Sequence, residues 1–160
     1  MERRAGMRIS VSVTINASKE DVWNVITGIE QSAETISGIE KIEILEKPES
    51  GLVGLKWRET RTLFGKTATE VMWITDAAEP QYYQTRAESH GSVYQSKLSI
   101  AQQDNGVGLS MDFNGTPQTF GARLMYALMG FMFKGATEKA LKRDLDDIKA
   151  AVEKSKSVSG

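Results

Sequence analysis

Hydrophobic and polar residues alternate along most of the first 114 positions, as they do in strands that bury one face. Residues 8–15 show the pattern most clearly, with Ile9, Val11, Val13 and Ile15 on one side and hydroxyl-bearing residues on the other. Turn signals such as Gly and Pro separate the alternating segments. The pattern predicts seven strands, over residues 8–15, 39–47, 54–63, 66–76, 81–89, 92–103 and 107–114.

The periodicity changes after Thr116-Pro117, where the sequence predicts one long helix from Thr119 to about Lys154. Its first half, residues 120–133, is almost entirely apolar. Its second half keeps a narrow apolar stripe at helical spacing, with a charged face between the stripe residues. The stripe is Leu141, Leu145, Ile148 and Val152, and the predicted solvated face is Lys142, Arg143, Asp144, Asp146, Asp147, Lys149 and Glu153.

A short helix is predicted directly after the first strand. Ser18 is a suitable N-cap, and Asp21 three residues later resembles the acidic partner of a capping box. This helix would bury Val22, Trp23 and Ile26 and end near Gly28, and a second helical segment would follow from about residue 30 to 36.

Two tight hairpins fix the predicted register, and with it the set of side chains that share a face. A two-residue turn at Phe64-Gly65 places Glu59 opposite Glu70 and Trp57 opposite Met72. A turn at His90-Gly91 pairs the next two strands in the same way. The inner face then carries Leu55, Trp57, Glu59, Arg61, Ala68, Glu70, Met72, Ile74, Tyr83, Thr85, Ala87, Tyr94, Ser96, Leu98 and Ile100, and the last strand adds Leu109, Met111 and Phe113.

The element order predicts an α+β protein in which a curved antiparallel seven-stranded sheet wraps round the long C-terminal helix. We expect a single domain over residues 7–154, with flexible tails at 1–6 and 155–160.

Three charged residues on the otherwise apolar inner face are the main candidates for chemistry. Glu59 and Glu70 are potential acid–base groups, because two carboxylates in one cavity raise the pKa of at least one of them. Arg61 is a potential anchor for a carbonyl or carboxylate. The alternative is structural: a pair between Glu59 and Arg61 at the cavity mouth, with Glu70 also paired to Arg61. The lone His90 lies in a turn and is expected to be exposed rather than catalytic.

Composition narrows the function classes further. A net charge of −1 argues against nucleic acid as the main partner. The absence of cysteine excludes disulfides and thiolate chemistry, and fits a cytoplasmic location. No stretch reaches the length of about 20 apolar residues that a membrane span needs. We expect no metal and no cofactor, and a monomer or homodimer.

Several motifs together resemble the START-like (SRPBCC) superfamily, the helix-grip fold shared by lipid-transfer domains and the polyketide cyclase/dehydrase group. They are Ala17–Trp23 after the first strand, residues 54–61, the Phe64-Gly65 turn, Ala68–Glu70 and Asp76–Pro80. The resemblance covers about residues 7–152. It implies a cavity between sheet and helix for an apolar or amphipathic small molecule, and no family-wide metal or covalent cofactor.

Three functions stay open at this point. The first is binding or carriage of a hydrophobic molecule such as a lipid, quinone or polyketide. The second is a cyclase/dehydratase activity that uses Glu59 or Glu70 with Arg61. The third is docking on a protein or membrane through Met125, Met129 and Phe133, since not every side of the apolar helix can face the sheet. The predicted ligand-binding residues are Trp57, Glu59, Arg61, Glu70, Met72, Tyr83, Thr85, Tyr94, Ser96, Leu98, Met111, Phe113, Leu124, Leu128 and Met132.

Overall fold

The computed structural model describes residues 6–63 and 65–159. It contains strands β1 (Met7–Ile15), β2 (Ile39–Glu46), β3 (Lys56–Leu63), β4 (Lys66–Ala78), β5 (Tyr82–Ser89), β6 (Ser92–Gln103) and β7 (Gly106–Pro117). Helix α1 (Lys19–Thr27), a 3-10 turn (Ile29–Gln31) and helix α2 (Ser32–Thr35) connect β1 to β2, and helix α3 (Phe120–Ser159) follows β7. The predicted order of strands and helices is confirmed.

The strands form one curved antiparallel sheet in the order β1-β7-β6-β5-β4-β3-β2. The predicted register is also confirmed: Glu59 faces Glu70, Trp57 faces Met72, and Tyr94 pairs with Ala87. Phe64, the first residue of the predicted β3–β4 turn, and residues 1–5 and 160 of the predicted tails lie outside the described residues. Residues 155–159, predicted as tail, continue α3 beyond the predicted end of the helix. The flexibility of the tails stays a prediction.

The β5–β6 turn also fixes the start of α3. His90 and Gly91 have φ values of 50° and 74°, which is the backbone conformation of a two-residue hairpin. The Gly91 carbonyl accepts hydrogen bonds from the backbone N–H groups of Gln118 and Thr119, at 2.7 and 3.3 Å. A Cβ at Gly91 would lie 2.4 Å from the Thr119 hydroxyl oxygen, so this close approach requires glycine.

The hydrophobic core occupies one end of the molecule. There α1 and the second half of α3 pack on the sheet, and the stripe residues Leu145, Ile148 and Val152 are buried against Ile15 and Trp23. Ser18 caps α1 as predicted, since its hydroxyl accepts a hydrogen bond from the Asp21 N–H. The first half of α3 takes no part in this core, and its inner side instead covers a cavity.

Candidate functional site

A cavity of about 900 Å³ lies between the inner face of the sheet and α3. This volume is in the range of small-molecule binding sites in proteins. Every sheet residue that the sequence predicts for the site lines it: Trp57, Glu59, Arg61, Glu70, Met72, Tyr83, Thr85, Tyr94, Ser96, Leu98, Met111 and Phe113. The geometry thus brings these residues together, and their role in binding stays a prediction.

The helix residues predicted for the site are not part of its lining. Leu124, Leu128 and Met132 point away from the sheet and are exposed, Leu128 by 70%. Met125, Tyr126 and Phe133 line the cavity in their place. The prediction was wrong here because this half of the helix is apolar on every side, so its hydrophobic pattern carries no information about which side faces inward.

A charged cluster of Glu59, Arg61 and Asp144 joins the sheet to the helix beside the cavity. The Arg61 Nε–H donates to Glu59 Oε2 at 2.7 Å. Its two terminal nitrogens donate to the two Asp144 oxygens at 3.2 and 2.7 Å. Burial alone would lower the pKa of Arg61, but the two carboxylates outweigh it and raise that pKa. Arg61 is therefore a permanent cation clamped between strand β3 and helix α3.

Asp144 is the charged residue of the site that the sequence interpretation missed. The charge pattern places it on the solvated face, but only 4% of it is exposed. The signal was present, because position 144 lies three residues after Leu141 and four before Ile148, and therefore on the buried stripe. Of the two predicted ion-pair partners of Arg61, Glu59 does pair with it. The second partner is Asp144 rather than the predicted Glu70.

Glu70 lies directly opposite Glu59 on the inner face of β4. Its carboxylate forms no hydrogen bond or salt bridge with the rest of the described chain. Burial raises the pKa of Glu70 above its ordinary 4.5, and the Glu59 charge adds to the rise, while His90 and Arg61 oppose it. Glu70 is therefore the carboxylate in this cavity that is available to a ligand.

Trp57 lines the cavity, and its indole N–H is unpartnered among the described residues. The residue is 4% exposed, and its Nε1 atom is buried with no hydrogen-bond acceptor among the described residues. Buried polar groups almost always have partners, because an unmade hydrogen bond leaves the group desolvated without compensation. Because Nε1 has almost no accessible surface, this N–H is an unsatisfied donor inside the cavity wall rather than a group offered to a ligand.

The hydroxyl groups of the inner face are mostly bonded within the protein. The buried Tyr83 hydroxyl donates to the Ile26 carbonyl at 3.0 Å, and the Thr85 and Ser96 hydroxyls bond each other. Burial, together with a hydrogen bond to Tyr126, raises the pKa of Tyr94 to about 12, and its ring stacks on Phe113. Because these hydroxyl groups already bond to other groups of the protein, they form part of the cavity wall and are not free to bond a ligand.

His90 is exposed, as predicted, but it also borders the cavity. Its Nδ1 lies 2.6 Å from the Ser89 hydroxyl oxygen. Among the described residues, no group of three or more His, Cys, Asp or Glu side chains is arranged to hold a metal ion.

The outward side of the first half of α3 is an apolar surface. Phe120 and Phe131 are 82% and 80% exposed. Leu124, Leu128 and Met132 share this side, and we call these five residues the outer α3 face. In the part of the chain that the structure describes, no helix is long and apolar enough to cross a membrane.

The sheet, the long helix and the cavity between them define a START-like helix-grip protein. The model of the family described as "Polyketide cyclase / dehydrase and lipid transport" matches residues 7–153. The chain belongs to this family, which confirms the resemblance seen in its sequence motifs. No curated protein matches the chain.

Solved structures share the fold at low sequence identity. The aromatase/cyclase Zhui from Streptomyces sp. R1128 has a TM-score of 0.70 and 18% identity, over 92% of this chain and 94% of that one. A START superfamily protein from Mycobacterium smegmatis has a TM-score of 0.77 and 17% identity, over 92% and 97%. The di-domain aromatase/cyclase BexL has a TM-score of 0.79 and 14% identity over 94% of this chain, which spans about half (51%) of BexL.

Replacing Asp144 tests the clamp between sheet and helix. Asp144→Asn leaves the Arg61 and Glu59 charges buried without the bidentate partner, and we expect the free energy of unfolding to fall by about 3 kcal/mol. Asp146→Asn is the matched control, since Asp146 is exposed and, among the described residues, its ion pair is with Lys142 on the same helix; it should change stability by less than about 0.5 kcal/mol. Urea denaturation measures both, and equal effects of the two variants would contradict the clamp.

Replacing Glu70 tests whether its unpaired and partly desolvated carboxylate destabilises the folded protein. Because the folded protein raises the pKa of Glu70, the ionised carboxylate destabilises the fold at neutral pH, and this effect disappears below the ordinary pKa of 4.5. Glu70→Gln should therefore raise the melting temperature at about pH 7 and lose this advantage at about pH 4. Glu88→Gln, at an exposed site on β5, serves as the control, and a lower melting temperature for Glu70→Gln at neutral pH would be the opposite result.

Proposed function

We propose that this protein binds a hydrophobic small molecule, such as a lipid, quinone or polyketide-like compound, in the cavity between the sheet and α3. The observation that carries the proposal is the cavity itself: about 900 Å³, walled largely by apolar side chains, with polar and charged groups among them. That combination is characteristic of small-molecule sites, where apolar walls give affinity and a few polar groups fix orientation.

The cavity is also lined by adaptable residues. Met72, Met111 and Met125 contribute flexible thioether side chains, and Phe113 and Tyr94 form a stacked aromatic wall. Methionine fills irregular gaps and tolerates ligands of differing shape. The family description, which includes lipid transport, supports the same proposal. As part of it, we place the single ligand-binding domain at residues 7–154 and the protein in the cytoplasm.

Filling the cavity should abolish binding. Ser96 lies on the inner face of β6 and Ser99 on its outer face, so Ser96→Phe places a ring in the cavity while Ser99→Phe places it outside. We expect the wild type and Ser99→Phe to enhance the fluorescence of the neutral apolar dye Nile red, and Ser96→Phe to bind it at least about tenfold more weakly. Circular dichroism confirms that both variants are folded, and equal dye binding by the two would contradict the cavity site.

A cyclase/dehydratase activity is the second candidate, and the unpartnered Glu70 favours it. A carboxylate with a raised pKa is suited to acid–base catalysis. In such a reaction Glu70 would take a proton from the carbon between two ketones, and the resulting enolate would attack a further carbonyl of the same chain. That attack closes the ring, the protonated Glu70 would return its proton to the new alkoxide, and loss of this hydroxyl as water would leave a carbon–carbon double bond in the ring.

Turnover of a linear poly-β-ketone tests this candidate. Glu70→Gln should reduce the rate of ring closure about a hundredfold or more, the usual contribution of a general base. Glu59→Gln should reduce it less, because Glu59 is already engaged by Arg61. The exposed Glu88→Gln should leave turnover unchanged. Full activity in Glu70→Gln would remove the acid–base role.

Docking on a membrane surface is a third candidate, and the exposed outer α3 face favours it. Met125 and Met129, proposed above as docking residues, are 55% and 41% exposed. Met125 also borders the cavity, as does Phe133, the third of these residues. Arg123 and Lys134 flank the outer α3 face, and neither forms an ion pair with the described residues. Apolar residues flanked by cations suit the surface of an anionic lipid bilayer.

Vesicle sedimentation tests this docking. We expect the wild type to sediment with vesicles of phosphatidylglycerol and phosphatidylcholine, and Phe131→Glu to bind at least about tenfold more weakly, given about 1.5–3 kcal/mol for burial of one phenylalanine. Gln95→Glu adds the same charge on the outer face of β6 and should not weaken binding. A wild type that stays in the supernatant would exclude the candidate.

A further inference from the structure

The outer α3 face is larger than the apolar patches that an isolated protein ordinarily exposes to water. Its five side chains are 50% to 82% exposed. Together they present an apolar area on the order of 700 Å² in each copy, given about 150–250 Å² for a whole aromatic side chain. A patch of that size is typical of an interaction site. In two copies it falls within the total of about 1,200–2,000 Å² that a standard protein–protein interface buries.

The residues along the middle of this face are spaced as in a helix that pairs with another helix. Gly121, Leu124, Leu128, Phe131 and Gly135 follow one another at intervals of three, four, three and four residues, and all five are exposed. We call them the α3 seam. A repeat of 3.5 residues keeps one narrow stripe of each helix in contact in a coiled coil. Docking on a flat lipid surface needs an apolar side but not this repeat.

The α3 seam is also complementary to itself in size. In an antiparallel pair of α3 helices related by a two-fold axis, the register that sets Leu124 opposite Leu128 of the partner subunit also sets Phe131 opposite Gly121 of the partner subunit. A Cβ added at Gly121, which also borders the cavity, would have no atom within 4 Å in a single copy. The space beside Gly121 is therefore open to an aromatic ring, and no charged residue belongs to the seam.

We propose that two copies of this protein associate through their α3 seams as an antiparallel helix pair, with Phe131 of each copy over Gly121 of the other. The pairing covers the apolar residues that a single copy exposes. The cavity lies on the opposite side of α3, so the inference does not depend on the proposed ligand. A membrane is the other possible occupant of the same face, and the experiments below distinguish the two.

Sedimentation equilibrium without lipid tests the pairing. We expect the wild type to be a dimer at about 100 μM, since interfaces of this size have dissociation constants that are micromolar or tighter. Gly121→Leu occupies the space for the facing ring and should weaken the dimer at least about tenfold. Leucine favours a helix more than glycine does, so each copy stays folded. Gly130→Leu is the matched control: it lies off the seam, an added Cβ there also has no atom within 4 Å, and the dimer should be unchanged.

A mixture of two variants tests the facing of the two positions directly. Phe131→Ala alone should weaken the dimer, because it leaves an unfilled space opposite Gly121. Mixed in equal amounts, Gly121→Leu and Phe131→Ala should form a heterodimer. In it the introduced leucine faces the introduced alanine, and the remaining Phe131 faces the remaining Gly121. A general loss of stability would not produce this rescue, and its absence would contradict the register.

Two further results would overturn the inference. The first is a wild type that remains a monomer at about 100 μM; its sedimentation with lipid vesicles would then assign the face to a membrane. The second is a dimer that withstands both Gly121→Leu and Phe131→Ala, which would place the contact elsewhere. Gly121→Leu also separates the two occupants, because an added apolar side chain should weaken the dimer but not the binding to vesicles.

Discussion

The partly buried guanidinium of Arg61 constrains the way in which this fold is assembled. It is held by Glu59 from its own strand and by Asp144 from a helix 83 positions further along the chain. A buried charge that loses its partner is strongly unfavourable, whereas the intact cluster adds little net stability relative to apolar packing. Its effect is therefore on geometry: α3 must cross the sheet where Asp144 meets Arg61. That crossing point separates the packed core from the cavity.

The two halves of α3 therefore have different structural roles. The half after Asp144 carries Leu145, Ile148 and Val152 into the core. The half before it is held at its start, where Gln118 and Thr119 bond the Gly91 carbonyl, and spans the cavity between these two anchors. An apolar helix that covers an open volume and also exposes apolar residues to solvent is stabilised little by packing. It is therefore the part of the fold best suited to move when a ligand enters, since mobile segments come from the least tightly packed regions.

Most of the fold could be predicted from the sequence because strand alternation and two-residue turns determine register together. A two-residue turn at Phe64-Gly65 and a side-chain period of two together predict that Glu59 faces Glu70, as the structure shows. The outward orientation of Leu124 and Leu128 could not be predicted in this way, because a segment that is almost entirely apolar gives little indication of which side faces the sheet. Asp144 was missed for the opposite reason: its charge suggested solvent, although its spacing from Leu141 and Ile148 placed it on the buried stripe.

The central claim is that the space between sheet and α3 is a binding site for an apolar small molecule. Native mass spectrometry of the purified protein, followed by organic extraction and mass analysis of the extract, tests it most directly. The account predicts a bound species of a few hundred daltons that is extracted into organic solvent, or its uptake when the empty protein is mixed with dodecanol. A protein that carries no such species and takes up neither dodecanol nor Nile red would contradict it.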